Sequence, residues 1–343
     1  MRSTKKSVMQ VYGIDLSKES FKVNFIDEEG QERSTEVKNK VVAISKFLSS
    51  VPEGAVLCAE HTGVYGDLLV YLSNQLQIPI ALVPGYNIKH SLGLVRGKSD
   101  PLDSRRIREY GERFTDKLVF TEYDSELTAE LKQLYTLREQ LVKNRKALIT
   151  SEKGRRYLPM ETISVHTRLQ RVLEGLDSEI AGLEKEMEEL IESDQELFEN
   201  YLLVTSIIGY GPVIATDLLV KTGNFKKITT ARKAASFAGV CPFPNSSGEM
   251  KAKSRTSPFA DKKLKTLLYM GAKSAVTHNK EYRLYYQRKQ LEGKPHYVIM
   301  NNISNKMLRT VYSVVQNKMP FDQNYVCTDP RERNINNSTK KVA

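Results

Sequence analysis

The chain has 343 residues, 40% hydrophobic and 27% charged. That is too long for one ordinary core and too apolar for a disordered protein, so two or three domains are expected. The formal charge is +11, unevenly spread: from Tyr201 to the end 24 Lys and Arg face 8 Asp and Glu, whereas the first 200 residues are net acidic by 5. A basic half joined to a slightly acidic half implies one region that grips phosphates and another with a different task.

Cys58, Cys241 and Cys327 lie far apart, one necessarily unpaired, and the five histidines are equally scattered. This argues for a reducing compartment and against a disulfide scaffold or zinc site. No apolar run follows Lys5 and Lys6, so no signal peptide is expected. The most apolar window, Leu202 to Val220, contains Asp217, Pro212 and two glycines and reads as a core segment, not a membrane span. A cytoplasmic protein, bacterial or archaeal and associated with the nucleoid, is the expectation.

In chain order, Val8–Ile14 and Phe21–Ile26 are β-rich runs, with Glu28-Glu29-Gly30 as a hairpin turn and Ser34–Val37 as a third strand. Val41–Leu48 has helical apolar spacing, Ala55–Ala59 is a buried-strand run, Leu68–Leu76 is helical, and Ile78–Val83 is a strand before Pro84-Gly85. Strands followed by strand–helix units predict a mixed sheet with helices on its faces. Leu169, Leu173, Leu176, Ile180, Leu183, Met187 and Leu190 then form a heptad seam, preceded by a helical stretch through Leu127, Leu131, Leu134, Leu141 and Leu148. Gly154 and Pro159 interrupt the path between them, so a helical hairpin or coiled-coil arm that serves assembly is expected, with an ordinary bundle helix as the alternative. From Tyr201 the pattern is mainly helical with glycine-marked breaks, and 329–343 is a polar tail. The expected division is therefore 1–122, 123–200, 201–328 and 329–343.

Four acids stand out by position. Asp15 ends the first strand, Glu60 ends a later one, and Asp100 and Asp103 open a helix with Pro101 in its first turn. Carboxylates three apart on a helix share a face, with Cβ atoms roughly 5–6 Å apart. Two strand-end acids facing such a pair make an oxygen-only, negative pocket of the kind that hard divalent ions require for phosphodiester cleavage. Asp100 and Asp103 also suit helix capping, and Asp15 and Glu60 suit solvated strand ends. Farther on, Ile208-Gly209-Tyr210-Gly211-Pro212 is either a helix-hairpin-helix turn whose amides bind a DNA phosphate or a generic tight turn. Asn245-Ser246-Ser247-Gly248 is followed by a basic run: Lys251, Lys253, Arg255, Lys262, Lys263 and Lys265. Considered alone, Ser-Ser-Gly is a flexible turn.

Taken together, Gly13-Ile14-Asp15, Glu60-His61-Thr62-Gly63-Val64-Tyr65, Lys98-Ser99-Asp100 with Asp103-Ser104-Arg105, and Phe237-Ala238-Gly239-Val240-Cys241-Pro242 with Ser246-Ser247-Gly248 resemble the insertion-sequence-110 family of transposases. His61 stands where the family usually has Ala or Ser, and Cys241 is a further variation. The resemblance covers most of the chain. It implies an RNase H-like (RuvC-like) α/β domain carrying Asp15, Glu60, Asp100 and Asp103 as ligands for Mg²⁺ or Mn²⁺. It also implies a helical C-terminal transposase domain with Ser247 as nucleophile, Ser246 being the fallback. Double-stranded donor and target DNA, a structured guide RNA and a homo-oligomer, dimer or tetramer, are its implied partners. The activity implied is a DNA transposase or recombinase that conserves phosphodiester energy in a serine ester, and no Walker-type loop for ATP is present.

Three rivals remain in view: a RuvC-like junction resolvase using water, an actin-like sugar kinase, and a non-catalytic DNA-binding protein. The kinase wants glycine in the phosphate turn after its strand-end Asp, and here Leu16-Ser17-Lys18 follow.

Overall fold

The computed structural model describes residues 9–91, 100–155, 157–158, 160, 163–247 and 250–323, with the backbone alone for 100–101, 244–247 and 250–255. Cys327 and the tail 329–343 lie outside the described residues, as do Lys98, Ser99, Pro159 and Gly248. The chain divides into two compact units, Met1–Tyr123 and Asp124–Ala343.

The N-terminal unit is an open mixed sheet of β1 (Val11–Leu16), β2 (Ser20–Ile26), β3 (Glu32–Lys38), β4 (Val56–Glu60) and β5 (Ile80–Val83), in the order β3-β2-β1-β4-β5. β1, β2 and β3 pair antiparallel, and β4 joins β1 and β5 in parallel. The turn after β2 is fixed locally: the Asp27 carboxylate accepts from the amides of Glu29 (3.1 Å) and Gln31 (2.8 Å), and Gly30 takes a positive φ of 78°. Hydrogen bonding to Arg33 holds the Asp27 carboxyl below its usual range.

Alternation along β1 and β4 sends side chains to two separate cores. Ile14, Leu16, Leu57 and Ala59 join the apolar residues of α1 (Val41–Leu48) and α2 (Asp67–Gln75) on one face. Val11, Cys58 and Val83 meet Ile88 of α3 (Gly85–Ser91) and Ile107 and Tyr110 of α4 (Asp100–Arg113) on the other. Burial pushes the Cys58 thiol up to about 12, so it packs as an inert apolar group. An open mixed sheet with helices on both faces is the arrangement of an RNase H-like core.

The C-terminal unit is largely helical. α5 (Glu126–Arg155) and α6 (Ile163–Glu192) run antiparallel, as cross-pairs show: Arg138 bonds Glu184 (3.0 Å), Arg145 bonds Asp177 (3.1 Å) and Gln170 bonds Glu152 (3.1 Å). The heptad seam is used inside the chain, with Leu173, Ile180, Leu183 and Met187 buried. The base of this arm shares a core with α7 (Gln195–Thr205), α8 (Pro212–Thr222), α9 (Ala231–Phe237), α10 (Lys262–His278), α11 (Lys280–Leu291) and α12 (His296–Asn317).

One element departs from the helical expectation. β6 (Phe243–Ser247) and β7 (Met250–Arg255) form a two-stranded antiparallel sheet, so Ser247 closes a strand instead of sitting within a turn. Pro-Asn-Ser-Ser has no apolar alternation and offered no strand signal. Among the described residues no helix is long and apolar enough to cross a membrane.

Candidate active site

Asp15 and Glu60 are brought together by strand pairing. β1 and β4 run parallel with Ile14 opposite Ala59, so the next residues, Asp15 and Glu60, are neighbours at the C-terminal edge of the sheet. Both are partly buried. They follow residues of the face that is covered by buried apolar groups, and so point toward the opposite face, where α3 and α4 pack.

Glycines seat that second layer. A Cβ built on Gly13 would lie 2.2 Å from the Ser104 carbonyl oxygen and 2.3 Å from the Arg108 nitrogen, so α4 rests directly on β1. Gly111 does the same from the helix side, against Val11 and Cys58. Since residue 111 lies over Val11 and residues 104 and 108 over Gly13, α4 runs opposite to β1 and its start approaches the Asp15 end. Buried Arg108 fixes the helix further by donating to the Asn24 side-chain oxygen at 2.7 Å and to Glu112 at 2.5 Å. Asp103 stands at this end of α4, partly exposed, and accepts from Arg106 at 2.9 Å. Asp100 begins the helix, and of it the backbone alone is described. The Glu60 carboxylate lies on Gly85, where a Cβ would stand 2.1 Å from its Oε1. Glycine at the start of α3 thus leaves the space that this side chain occupies.

The donors at this edge are carboxylate oxygens, which suit a hard divalent ion. Among the described residues, however, no three His, Cys, Asp or Glu side chains are grouped closely enough to hold a metal. Asp15, Glu60 and Asp103 share an edge without forming a closed cage.

In the C-terminal unit the hairpin carrying Ser247 is anchored at its base. Gly239 takes a positive φ of 66° against Ala260, and the following Val240 carbonyl accepts from Asn301 (2.9 Å) and Asn305 (3.2 Å) of α12. Where the hairpin ends, the Asp261 amide donates to the Phe237 carbonyl (2.8 Å) and its carboxylate caps α10 through the Leu264 amide (2.7 Å). Asn301 and Asn305 carried no sequence signal, because their partner is a backbone carbonyl some sixty residues away; Asp261 did, as an acid before an apolar-periodic run.

Lys251, Lys253 and Arg255 occupy alternate positions of β7, and Lys262 is exposed in the first turn of α10. Lys263, expected among the phosphate contacts, is engaged within the unit. It pairs with Glu139, donates to the Tyr135 hydroxyl and lies 4.2 Å over the Tyr135 ring. Tyr135 in turn donates to fully buried Asp217, which Lys221 approaches at 2.9 Å while reaching Asp261 at 3.0 Å. Burial, then the charge of Asp217, raises the Tyr135 hydroxyl far above its usual value, so it stays a donor.

Gly209 and Gly211 also divide in role. Gly209, with φ at 92°, meets the Gly271 carbonyl oxygen, 2.4 Å from where a Cβ would stand, so it lets the turn 206–211 cross α10. Gly211 precedes Pro212 at the start of α8 and has open space around it.

Comparison with known proteins accords with this arrangement. A DEDD-type IS110 transposase family model matches residues 12–153, and the model described as "Transposase IS116/IS110/IS902 family" matches 201–287. The pilin gene-inverting protein of Moraxella lacunata is 26% identical over 326 residues, 91% of this chain and 97% of that protein. The transposase for insertion sequence element IS1111A of Coxiella burnetii is 24% identical over 296 residues, 79% of each chain. The IS900 42 kDa protein of Mycobacterium paratuberculosis is 24% identical over 154 residues, 45% of this chain and 38% of that one. This chain, with its acid-edged sheet and its helical, hairpin-bearing second unit, belongs to the IS110/IS902 family of transposases and is a DNA transposase or recombinase.

Proposed function

We propose that the chain cuts and rejoins double-stranded DNA through a serine ester, with Asp15, Glu60, Asp100 and Asp103 as its metal site and Ser247 as its nucleophile. One observation carries the reading: the strand pairing that makes Asp15 and Glu60 neighbours also leaves the acid-bearing start of α4 over the same edge. Mg²⁺ or Mn²⁺ bound there would polarise the scissile phosphate and stabilise the charge that develops on it.

Ser247 forms an oxygen–phosphorus bond while the bond from phosphorus to one deoxyribose oxygen breaks. The serine proton ends on that displaced oxygen. The phosphodiester count is unchanged, so the freed hydroxyl of a second strand can attack the ester, return the proton to Ser247 and complete the exchange without ATP. Lys251, Lys253, Arg255 and Lys262 hold the DNA backbone, and the open space around Gly211 lets a phosphate approach the start of α8. A structured RNA that selects the DNA, and a multimer in which acids and serine come from different copies, extend the same reading; the family resemblance and the basic C-terminal half support them.

The test is a denaturing gel of protein, labelled duplex and Mg²⁺. Wild type is expected to trap DNA covalently. Ser247→Ala should bind duplex normally yet form neither adduct nor recombinant, and Asp15→Ala, Glu60→Ala and Asp103→Ala should lose cleavage while remaining folded. Cutting by wild type without any adduct would establish water as the nucleophile and a resolvase in place of a recombinase. Adducts surviving in both Ser247→Ala and Ser246→Ala would move the nucleophile elsewhere, and full cleavage by any acid variant would remove the metal site.

A further inference from the structure

Strand pairing brings a cation to the acid edge. In the antiparallel ladder of β1 and β2, Lys22 stands directly opposite Asp15, and in that of β2 and β3 it stands opposite Glu36. Residues directly opposed across two strands project from the same face. With Glu60 beside Asp15 on the other side, one row across four strands reads Glu36, Lys22, Asp15, Glu60. The run Phe21–Ile26 reads as a strand and nothing more, so this juxtaposition comes from register alone.

The neighbours of Lys22 fix which face this is. Phe21 and Val23, on either side of it in β2, are buried in the core against α1 and α2. Asn24, two residues on and therefore on the side of Lys22, is buried under α4, where its side-chain oxygen accepts from Arg108 at 2.7 Å. Asn24 pairs with Gly13 and Lys22 with Asp15, so Lys22 lies toward the end where α4 begins and Asp103 stands. Lys22 is partly buried, and both it and Asp15 are engaged. Carboxylates on either side compensate the ammonium while no metal is bound. Once divalent ions take those carboxylates, the ions repel the ammonium, which then needs another anion beside it. In a reaction on DNA that anion is the phosphodiester, whose two non-bridging oxygens can meet a metal ion and a lysine together.

We infer that Lys22 is a further catalytic residue of the acid site: its ammonium binds a non-bridging oxygen of the scissile phosphate and stabilises the charge that builds there as the phosphorus–oxygen bond breaks. Lys22 keeps its proton throughout and acts by charge alone. The inference rests on the assignment of Asp15 and Glu60 to the metal site. It is independent of Ser247, because the same contact serves attack by a serine or by water.

The test uses full-length protein, labelled duplex and saturating Mg²⁺, with Mn²⁺ binding followed separately by electron paramagnetic resonance. Lys22→Met keeps the side chain's reach and removes its charge, and its cleavage rate should fall about 100-fold, as on loss of one charge-stabilising donor. Lys22→Arg should recover most of that loss. Lys22→Met should bind Mn²⁺ at least as tightly as wild type, since a cation has left the carboxylates, and should melt at the same temperature. Wild-type cleavage by Lys22→Met would overturn the inference. So would weakened Mn²⁺ binding with cleavage restored by excess Mg²⁺, which would reduce Lys22 to a partner that holds Asp15 in place. An arginine variant as defective as the methionine one would overturn the role of charge. Asp15→Ala, run in parallel, separates the two readings. If it cleaves in full, the acid site falls and Lys22 with it; if it is inactive while Lys22→Met is fully active, Lys22 alone is removed.

Discussion

In the N-terminal unit Asp15 and Glu60 stand at the ends of strands that are buried on both faces, whereas in the C-terminal unit Ser247 ends the first strand of a two-stranded hairpin. Different forces hold the two. The acid edge is set by backbone pairing and by apolar layers, with Gly13 and Gly111 letting a helix touch the sheet. A two-stranded hairpin gains little from its own ladder and is marginal alone. Its geometry therefore rests on polar contacts at its base: Asn301 and Asn305 on Val240, Asp261 on Phe237 and Leu264. The contrast teaches that the acid edge is built by burial and the hairpin base by hydrogen bonds to single backbone groups.

The largest effect should come from the network that ties α10, directly after the hairpin, to α5 and α8. Asp217 is fully buried and is approached by Lys221 and Tyr135. Asp217→Ala would leave Lys221 with reduced compensation and should cost about 3–5 kcal/mol. Urea titration of full-length protein measures this; a loss below 1 kcal/mol would mean that the network adds little, and that the hairpin side of the comparison is not supported by charge.

Gly13→Ala comes next. Its methyl would press on the Ser104 carbonyl and the Arg108 amide, both backbone atoms that cannot rotate away. Overpacking of this kind costs about 1–3 kcal/mol, and displacing α4 carries Asp103 away from the sheet edge. Cleavage should fall far more than stability. A variant with wild-type cleavage would show that α4 need not sit on β1, and the burial side of the comparison would fail.

Asn301→Ala and Asn305→Ala probe the hairpin base. Each removes one hydrogen bond to the buried Val240 carbonyl, about 1 kcal/mol. Either alone leaves the carbonyl one partner; the double variant leaves it without these two, so its loss should exceed the sum of the singles. Additive losses, with adduct formation unchanged in the double variant, would separate the hairpin's position from these contacts.

The same contrast explains what could be read in advance. Strand runs ending at Asp15 and Glu60, the helix Val41–Leu48 and the seam through Leu173, Ile180, Leu183 and Met187 carry their own periodicity, because burial imposes it. β6 carries none: Phe243–Ser247 lacks apolar alternation, and the base of its hairpin is held at Val240 by Asn301 and Asn305, about sixty residues away, so neither the strand nor these anchors is legible in the sequence. Lys263 has partners that the sequence does not announce: within a basic run, it pairs with Glu139 and donates to Tyr135, which lie about 125 residues earlier. Gly209 likewise needed Gly271, on another helix, to reveal that it is a crossing point.

The smallest effect on stability, and the finest probe of the acid edge, is Arg106→Gln. Arg106 donates to Asp103 at 2.9 Å from one turn along α4, with both side chains partly exposed. Such a pair contributes only a few tenths of a kcal/mol to folding, about 0.2–0.5. Its consequence for metal is larger in proportion, because the guanidinium occupies one Asp103 oxygen and repels a cation that would use it. At about 1 kcal/mol for each pair of unit charges 4 Å apart in water, the guanidinium opposes a doubly charged ion by about 2 kcal/mol, so removing it should lower the Mg²⁺ concentration for half-maximal cleavage by about thirtyfold. Glutamine keeps the length and a donor, so the helix should be undisturbed. The shift should shrink as salt is raised, since screening weakens an exposed charge. A higher Mg²⁺ requirement in Arg106→Gln would reverse the reading: Arg106 would then be orienting Asp103 for metal, and the pair seen here would be part of the prepared site and not a competitor for it.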